Sequence, residues 1–167
     1  RREWFEVDLA TVQKAIEAVK KCQPNLSGMG AGTGFTPIVF RPEQEEAIEK
    51  TLKQFKTGSR MLWNAKMRFG KTLSALQVVK KSGFAKTIIV THRPVVDDGW
   101  YEDFQKILYD TNDYTYGSKG HGAAIEDLLN SGKKFVYFAS IQDLRGSSTV
   151  GGKFDKNDAV FSQDWEL

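Results

Sequence analysis

Short apolar runs alternate with helical patterns along the chain from residue 37 onward. Two of the runs, 87–90 and 135–138, lack polar alternation, which is typical of strands buried on both faces. Because strands and helices that alternate in sequence form βαβ units, we predict an α/β fold with a mostly parallel sheet. The predicted helices are 42–57, ended by Gly58, then 71–81, 95–108 and 122–131, and the predicted strands are 60–65, 86–91, 114–116 and 134–139.

The first 37 residues have a different pattern. Residues 8–21 place Leu9, Val12 and Ile16 on one face of an amphipathic helix that Asp8 would cap. Residues 24–34 are rich in glycine and predict a break in regular structure. We therefore expect a helical N-terminal extension over 1–23, a glycine-rich linker over 24–37 and the main domain over 38–167.

Composition narrows the class of protein without naming a function. The 167 residues are 40% hydrophobic, and 24 Lys and Arg against 21 Asp and Glu give a net charge of +3, which permits nucleic-acid binding without arguing for it. No apolar run approaches the roughly 18 residues of a membrane span. The single cysteine excludes a disulfide framework, so we expect a reducing compartment, the cytoplasm. A chain that begins Arg1-Arg2 suggests a piece of a longer protein.

The richest chemistry lies between predicted strand 60–65 and predicted helix 71–81. A turn that ends in glycine before a helix aims backbone N–H groups and the helix dipole at an anion. In that arrangement Lys71 would reach the β- and γ-phosphates of a nucleotide, and the Thr72 hydroxyl would hold Mg²⁺. The alternative is an ordinary surface turn, because the first glycine of the usual pattern is replaced here. The candidate nucleotide-binding residues are Ala65, Lys66, Met67, Arg68, Phe69, Gly70, Lys71 and Thr72.

Upstream of this loop, the amide of Gln44 could donate and accept on the edge of an adenine base, and Arg41 is a weaker candidate for the same site. Gln44 could equally be a solvated helix residue. Downstream, polar residues follow two predicted strands, where open α/β sheets place their ligands. Hydroxyl, imidazole, guanidinium and amide groups suit a nucleic-acid backbone, although a plain polar loop is the alternative. These candidates are Thr91, His92, Arg93, Ser140 and Gln142, while Asp143 could cap a short helix.

The order of these segments resembles superfamily 2 helicases and translocases, most closely the helicase subunits of type III and type I restriction enzymes and their DEAD/DEAH-box relatives. Residues 40–44 resemble the adenine-reading segment, 65–72 motif I, 90–94 motif Ia and 138–144 the motif Ic region. The resemblance covers about residues 38–145. It implies a RecA-like first motor domain, ATP and Mg²⁺ as cofactors, and single- or double-stranded DNA as partner.

Two departures from the family pattern change what we expect. Arg68 stands where motif I usually has glycine, and its guanidinium could lie beside the phosphates or point to solvent. No Asp-Glu-x-His follows the Ser140 strand, so we expect an incomplete domain that binds nucleotide without hydrolysing it. The remaining polypeptide would then supply that motif and a second RecA-like domain. We also expect the open sheet to self-associate.

Other classes of protein are compatible with the same residues. A non-motor P-loop module would use the nucleotide as a regulatory ligand, and a nucleic-acid-binding domain would have no nucleotide role. Residues 3–9 faintly resemble the tail of GIY-YIG-like nuclease domains, which would place a nuclease upstream as a further partner.

Overall fold

The computed structural model of the chain describes residues 38–108, 113–154 and 157–167. The predicted helix 8–21 and the linker 24–37 lie outside the described residues. The described elements, in chain order, are α1 (Pro42–Gln54), α2 (Lys71–Ser82), β1 (Lys86–Thr91), a 3-10 turn (Pro94–Val96), α3 (Asp97–Leu108), β2 (Tyr114–Gly117), α4 (Ile125–Asn130), β3 (Lys134–Ser140), α5 (Ile141–Leu144), a second 3-10 turn (Ser148–Val150) and α6 (Asp158–Phe161). None of the described helices combines the length and apolarity that a membrane crossing needs.

The three strands form a parallel sheet in the order β1-β3-β2. The central strand β3 is buried from Phe135 to Ser140, as its unbroken apolar run predicted. Alternate side chains of β3 pack into two hydrophobic cores, one on each face of the sheet, because successive residues of a strand point to opposite faces. Val136 and Phe138 pack with residues of α2 and α3, whereas Phe135 and Tyr137 pack with residues of α4 and α6. The α/β class and the parallel sheet are thereby confirmed.

Helix α2, which follows the candidate phosphate loop, has sharp ends. Glycines in the left-handed conformation stand at both, Gly70 at the N-cap with φ +85° and Gly83 at the C-cap with φ +72°. Only glycine adopts this conformation without steric strain, so both ends are encoded locally. The helix buries Leu76, Val78 and Val79, and this burial anchors the loop that precedes it to the domain core.

The structure corrects the prediction of a strand over residues 60–65, because no strand is present there. Within the described part of the chain, these residues exchange no backbone hydrogen bonds. A strand exists only when a neighbour satisfies its N–H and C=O groups, and no described strand lies beside this segment. The segment is held by side chains instead, since the Trp63 indole Nε1 donates to Thr51 Oγ1 at 2.7 Å and its ring meets Phe69 edge-on.

The last residues of the chain cover part of the outer edge of β1. Glu166 N donates to Lys86 O at 3.0 Å, and Ile88 N donates to Leu167 O at 2.8 Å. Trp165 packs edge-on against Phe135 beneath these bonds. The edge that we expected to be open is therefore covered at residues 86–88, which removes part of the reason for expecting self-association.

Candidate functional site

The candidate phosphate loop is a tight turn that opens helix α2. Two of its last three residues before the helix are left-handed, Arg68 with φ +63° and Gly70 with φ +85°. A residue with a Cβ carries strain in this conformation, of about 1 kcal/mol. Arg68 thus adopts a glycine-like backbone at the position where motif I usually has glycine, and its side chain is exposed. The substitution keeps the shape of the turn, at an energetic cost.

The candidate base-reading residues contact the backbone of this loop. Gln44 Nε2 donates to Phe69 O at 2.7 Å, and Arg41 Nη2 donates to the same oxygen at 2.6 Å and to Arg68 O at 3.1 Å. The Gln44 side chain is buried, and its Oε1 accepts from Arg41 N at 2.8 Å. A glutamine amide has two N–H donors and two lone pairs, so these two bonds use one of each.

These contacts orient a peptide group that matters for anion binding. The Phe69 carbonyl faces Gln44 and Arg41, and a trans peptide bond directs its N–H opposite to its carbonyl. The Gly70 N–H therefore points away from α1. A Cβ at position 70 would lie 2.4 Å from Gln44 Nε2, so a larger residue there would displace the glutamine amide.

The two residues expected to hold phosphate and Mg²⁺ begin helix α2. Lys71 is exposed, and its Nζ donates to Lys66 O at 2.7 Å, which places the ammonium group across the loop. Thr72 is half-buried in the first turn. Of the remaining loop residues, Lys66 and Met67 are exposed and Ala65 is half-buried. The structure thus brings all eight candidate residues into one turn with the start of its helix.

A cavity of about 570 Å³ lies beside the loop, between α1 and residues 61–69. Its walls carry both charged and apolar side chains, but Gly70, Lys71 and Thr72 do not line it. The cavity therefore adjoins the outer face of the loop, and the helix start, where backbone N–H groups converge, lies apart from it. The lining residues include Arg41, Glu43, Glu46, Lys50, Met61 and Leu62.

The second group of candidates lies at the carboxyl edge of the sheet. Thr91 and Ser140 are register partners on β1 and β3, so the segments that follow leave the sheet side by side. His92, Arg93 and Gln142 are exposed there, and Thr91 Oγ1 donates to Arg93 O at 3.0 Å. The structure brings these four residues to one surface.

Ser140 occupies a different position from the one that we expected. Its side chain is completely buried, accepts from Asp143 N at 3.1 Å and donates to Asp143 Oδ2 at 2.5 Å. It is the N-cap of helix α5, and Asp143 is its partner and not itself the cap. Ser140 therefore positions Gln142 and presents no exposed atom of its own.

Sequence reasoning missed a polar network at the same edge. Asp97 is buried and accepts from Tyr116 Oη at 2.7 Å and Ser118 Oγ at 2.6 Å. Burial, reinforced by Asp97, raises the pKa of Tyr116 far above its ordinary value, so the phenol stays a donor. Asp97 lies about 20 positions from Tyr116 and Ser118, and the signal that could have found this network is the position of all three residues at or beyond the carboxyl ends of parallel strands.

Lys119 extends this network to helix α5. Its Nζ lies 2.8 Å from Asp143 Oδ1. Burial alone would raise the pKa of Asp143, but hydrogen bonds from Lys119 and Ser140 outweigh it and lower that pKa below its ordinary value. Asp143 is accordingly a carboxylate held between two donors.

A parallel sheet with helices on both faces, and a left-handed turn that opens a helix, define this chain as a RecA-like α/β domain. Residues 37–164 match the family described as type III restriction enzyme, res subunit. The chain belongs to that family, and it is a restriction-enzyme helicase-like domain.

One curated relative supports the restriction-enzyme assignment. The chain is 28% identical over 126 residues to the C-terminus of a putative type II restriction enzyme and methyltransferase of Mycoplasma pneumoniae. The match covers 71% of this chain and 17% of that relative, so the chain spans less than a fifth of the relative's length. No solved structure matches the chain.

Proposed function

We propose that the loop at residues 65–72 binds Mg-ATP and that the domain drives movement of a restriction-type enzyme along DNA. The observation that carries the proposal is the geometry of the loop in a member of this family. Two left-handed residues within three positions lead into the N-terminus of a twelve-residue helix, a combination that concentrates N–H donors and positive potential. Such a terminus suits a phosphate group.

Each residue of the loop has a distinct role in this proposal. The N–H groups of Gly70 and Lys71 would contact a phosphate, and the Lys71 ammonium would leave Lys66 O to reach the β- and γ-phosphates. The Thr72 hydroxyl would hold Mg²⁺, which neutralises charge on the phosphate oxygens when bound. The side chains of Lys66, Met67 and Arg68 are exposed around the turn, where they could contact the rest of the nucleotide.

The role proposed for Gln44 has two parts. Its bond to Phe69 O keeps the Gly70 N–H turned toward the phosphates, and its remaining N–H and lone pair would read adenine. Arg41 supports the first part, because it holds the same carbonyl. Base recognition and phosphate binding would therefore be coupled through one peptide group.

The surface formed by Thr91, His92, Arg93 and Gln142 would contact the DNA backbone, with Ser140 holding Gln142 in place. The curated relative is described as a putative type II restriction enzyme and methyltransferase, and because restriction enzymes act on DNA, this description supports DNA as the partner here. In the whole protein we propose that ATP hydrolysis between this domain and a second RecA-like domain moves these contacts along DNA.

The first test measures binding of Mg-ATP to the 167-residue chain by calorimetry. Replacing Lys71 by Ala removes charge-assisted hydrogen bonds worth about 1.5–3 kcal/mol, so affinity should fall about ten- to a hundredfold. The matched control is Lys81→Ala, because Lys81 is an exposed lysine in the last turn of the same helix. If the Lys71→Ala chain bound ATP as tightly as the parent, the nucleotide site would be refuted.

The second test separates base reading from loop positioning. It compares Mg-ATP, Mg-GTP and inorganic tripolyphosphate on the parent and on Gln44→Ala. We expect the variant to lose its preference for ATP over GTP and also to bind tripolyphosphate more weakly. Unchanged selectivity would refute adenine recognition, and unchanged tripolyphosphate affinity would refute the loop-positioning role.

DNA-stimulated hydrolysis separates the motor from the other two classes. In the intact protein we expect ATP turnover that rises with DNA and disappears with Lys71→Ala. Turnover that is indifferent to DNA would favour a regulatory nucleotide module. Binding of DNA without any nucleotide binding would favour the third class.

A further inference from the structure

The turn at residues 118–121 connects three elements at the carboxyl edge of the sheet. It follows strand β2, its Ser118 hydroxyl bonds to Asp97 at the start of α3, and Lys119 reaches Asp143 in α5. The Pro94–Val96 turn connects residues 91–93 to α3, and Gln142 lies within α5. The turn at 118–121 therefore contacts the helix that follows residues 91–93 and the helix that carries Gln142.

The backbone of this turn is strongly constrained. Ser118 Oγ accepts from Gly120 N at 3.1 Å and from His121 N at 2.8 Å, which closes the turn on itself. Gly122 has φ +72°, and a Cβ there would lie 2.1 Å from Tyr116 O, so only glycine fits at the exit from the turn, where it bridges back to Gly117. Lys119 is thus presented from a rigid support.

A second contact fixes the turn to α3. His121 Nε2 lies 2.6 Å from Asp98 Oδ1, and its ring stacks on Tyr101 with centroids 4.7 Å apart. Together with the bond from Ser118 to Asp97, this contact ties the turn to two consecutive residues of the helix. The Lys119 side chain extends from this fixed turn and bonds to Asp143 in α5.

Helix α5 is only four residues long and depends on its surroundings for stability, since isolated short helices do not form in water. Ser140 caps it, Asn157 Nδ2 donates to Asp143 O at 3.0 Å, and Lys119 holds the Asp143 carboxylate. Among the described residues, removing the lysine would leave that carboxylate with Ser140 as its one side-chain donor.

We infer that Lys119 is a positioning residue for DNA binding. Through Asp143 it holds α5, and with it Gln142, at a fixed place relative to Thr91, His92 and Arg93. This inference rests on the proposed function of that surface. An exposed lysine near DNA is ordinarily interpreted as a direct phosphate contact. Here the Lys119 ammonium group is paired with the Asp143 carboxylate at 2.8 Å, so we assign it a positioning role instead.

The first test needs no DNA. Amide hydrogen exchange of the chain is compared between the parent, Lys119→Met and Lys133→Met. Lys133 is an exposed lysine at the opposite end of β3, so the control makes the same change of charge away from the turn. We expect Lys119→Met alone to raise exchange about fivefold at the Asp143 amide, which bonds to the cap. No increase would overturn the positioning role.

The second test is a double-mutant cycle on DNA affinity, measured by fluorescence anisotropy with a short duplex and with one of its strands. If Lys119 positions α5, Lys119→Met and Asp143→Asn should each weaken binding about fivefold, and the double variant should be no weaker than either. The slope of affinity against salt should stay the same in all four chains, since no phosphate contact is lost.

A direct phosphate contact predicts the opposite pattern. Asp143→Asn would then strengthen binding by freeing the lysine, and Lys119→Met would lower the salt slope by about one contact. That result would overturn the inference while leaving the DNA surface in place. If the parent chain bound no DNA, the proposed DNA role would fail, and the exchange measurement would still decide whether Lys119 holds the helix.

Discussion

Gly70 offers the sharpest test of how the phosphate loop is built. Replacing it by Ala adds a Cβ in the left-handed conformation, which costs about 1 kcal/mol of unfolding free energy. The same Cβ would lie 2.4 Å from Gln44 Nε2, so the buried amide must move and lose its bond to Phe69 O. Losing that bond in a buried place adds about 2 kcal/mol, for a total of about 3 kcal/mol.

The chain supplies a matched control at the other end of the same helix. Gly83 is also left-handed, but a Cβ there would meet Lys134 Nζ at 3.5 Å, an ordinary contact with a flexible side chain. Gly83→Ala should therefore cost about 1 kcal/mol, the conformational part alone. Both substitutions introduce the same backbone strain, but only Gly70→Ala adds a collision with Gln44.

Urea denaturation of six chains measures the difference: the parent and the Gln44→Ala chain, and Gly70→Ala and Gly83→Ala in each of these two backgrounds. Without the Gln44 side chain, Gly70→Ala should cost no more than Gly83→Ala, which gives a coupling free energy of about 2 kcal/mol. The packing of Gln44 against the loop would be refuted by either of two results. One is an equal loss of unfolding free energy for the two glycine substitutions in the parent, and the other is a Gly70→Ala loss that is the same with and without the Gln44 side chain.

Two further predictions concern the surroundings of the two sites. The folded-state pKa of Asp143 is lowered, so its contribution to stability is present above the unfolded pKa of about 4 and is lost as pH falls through the folded value. The urea midpoint of the parent should therefore drop more between pH 6 and pH 3 than that of Asp143→Asn, and equal drops would contradict the paired carboxylate. Trp63→Phe removes the donor to Thr51 and should cost about 1 kcal/mol in the same assay, while an unchanged midpoint would show that this bond does not hold residues 60–65.

Local pattern predicted most of the architecture. The unbroken apolar run of β3 indicated a strand buried on both faces, and Val136 and Phe138 lie on one core while Phe135 and Tyr137 lie on the other. Gly70 marked the start of α2, because glycine adopts the left-handed backbone without steric strain. Helix α4 is shorter than the predicted 122–131, since Gly122 bridges back to Gly117 before the helix begins.

The sequence by itself determined the alternation of strands and helices, the order of the motifs and the turn that opens α2, because these depend on residues close together in the chain. Tertiary structure alone decided which side chains meet. Gln44 bonds to Phe69, 25 positions away, and Lys119 bonds to Asp143, 24 positions away. Residues 60–65 are strand-like in pattern and form no strand, because a strand is completed by hydrogen bonds from a neighbour that periodicity does not reveal. Ser140 caps α5 through Asp143, only three positions away, but its complete burial at the end of the central strand depends on the packing of the whole sheet.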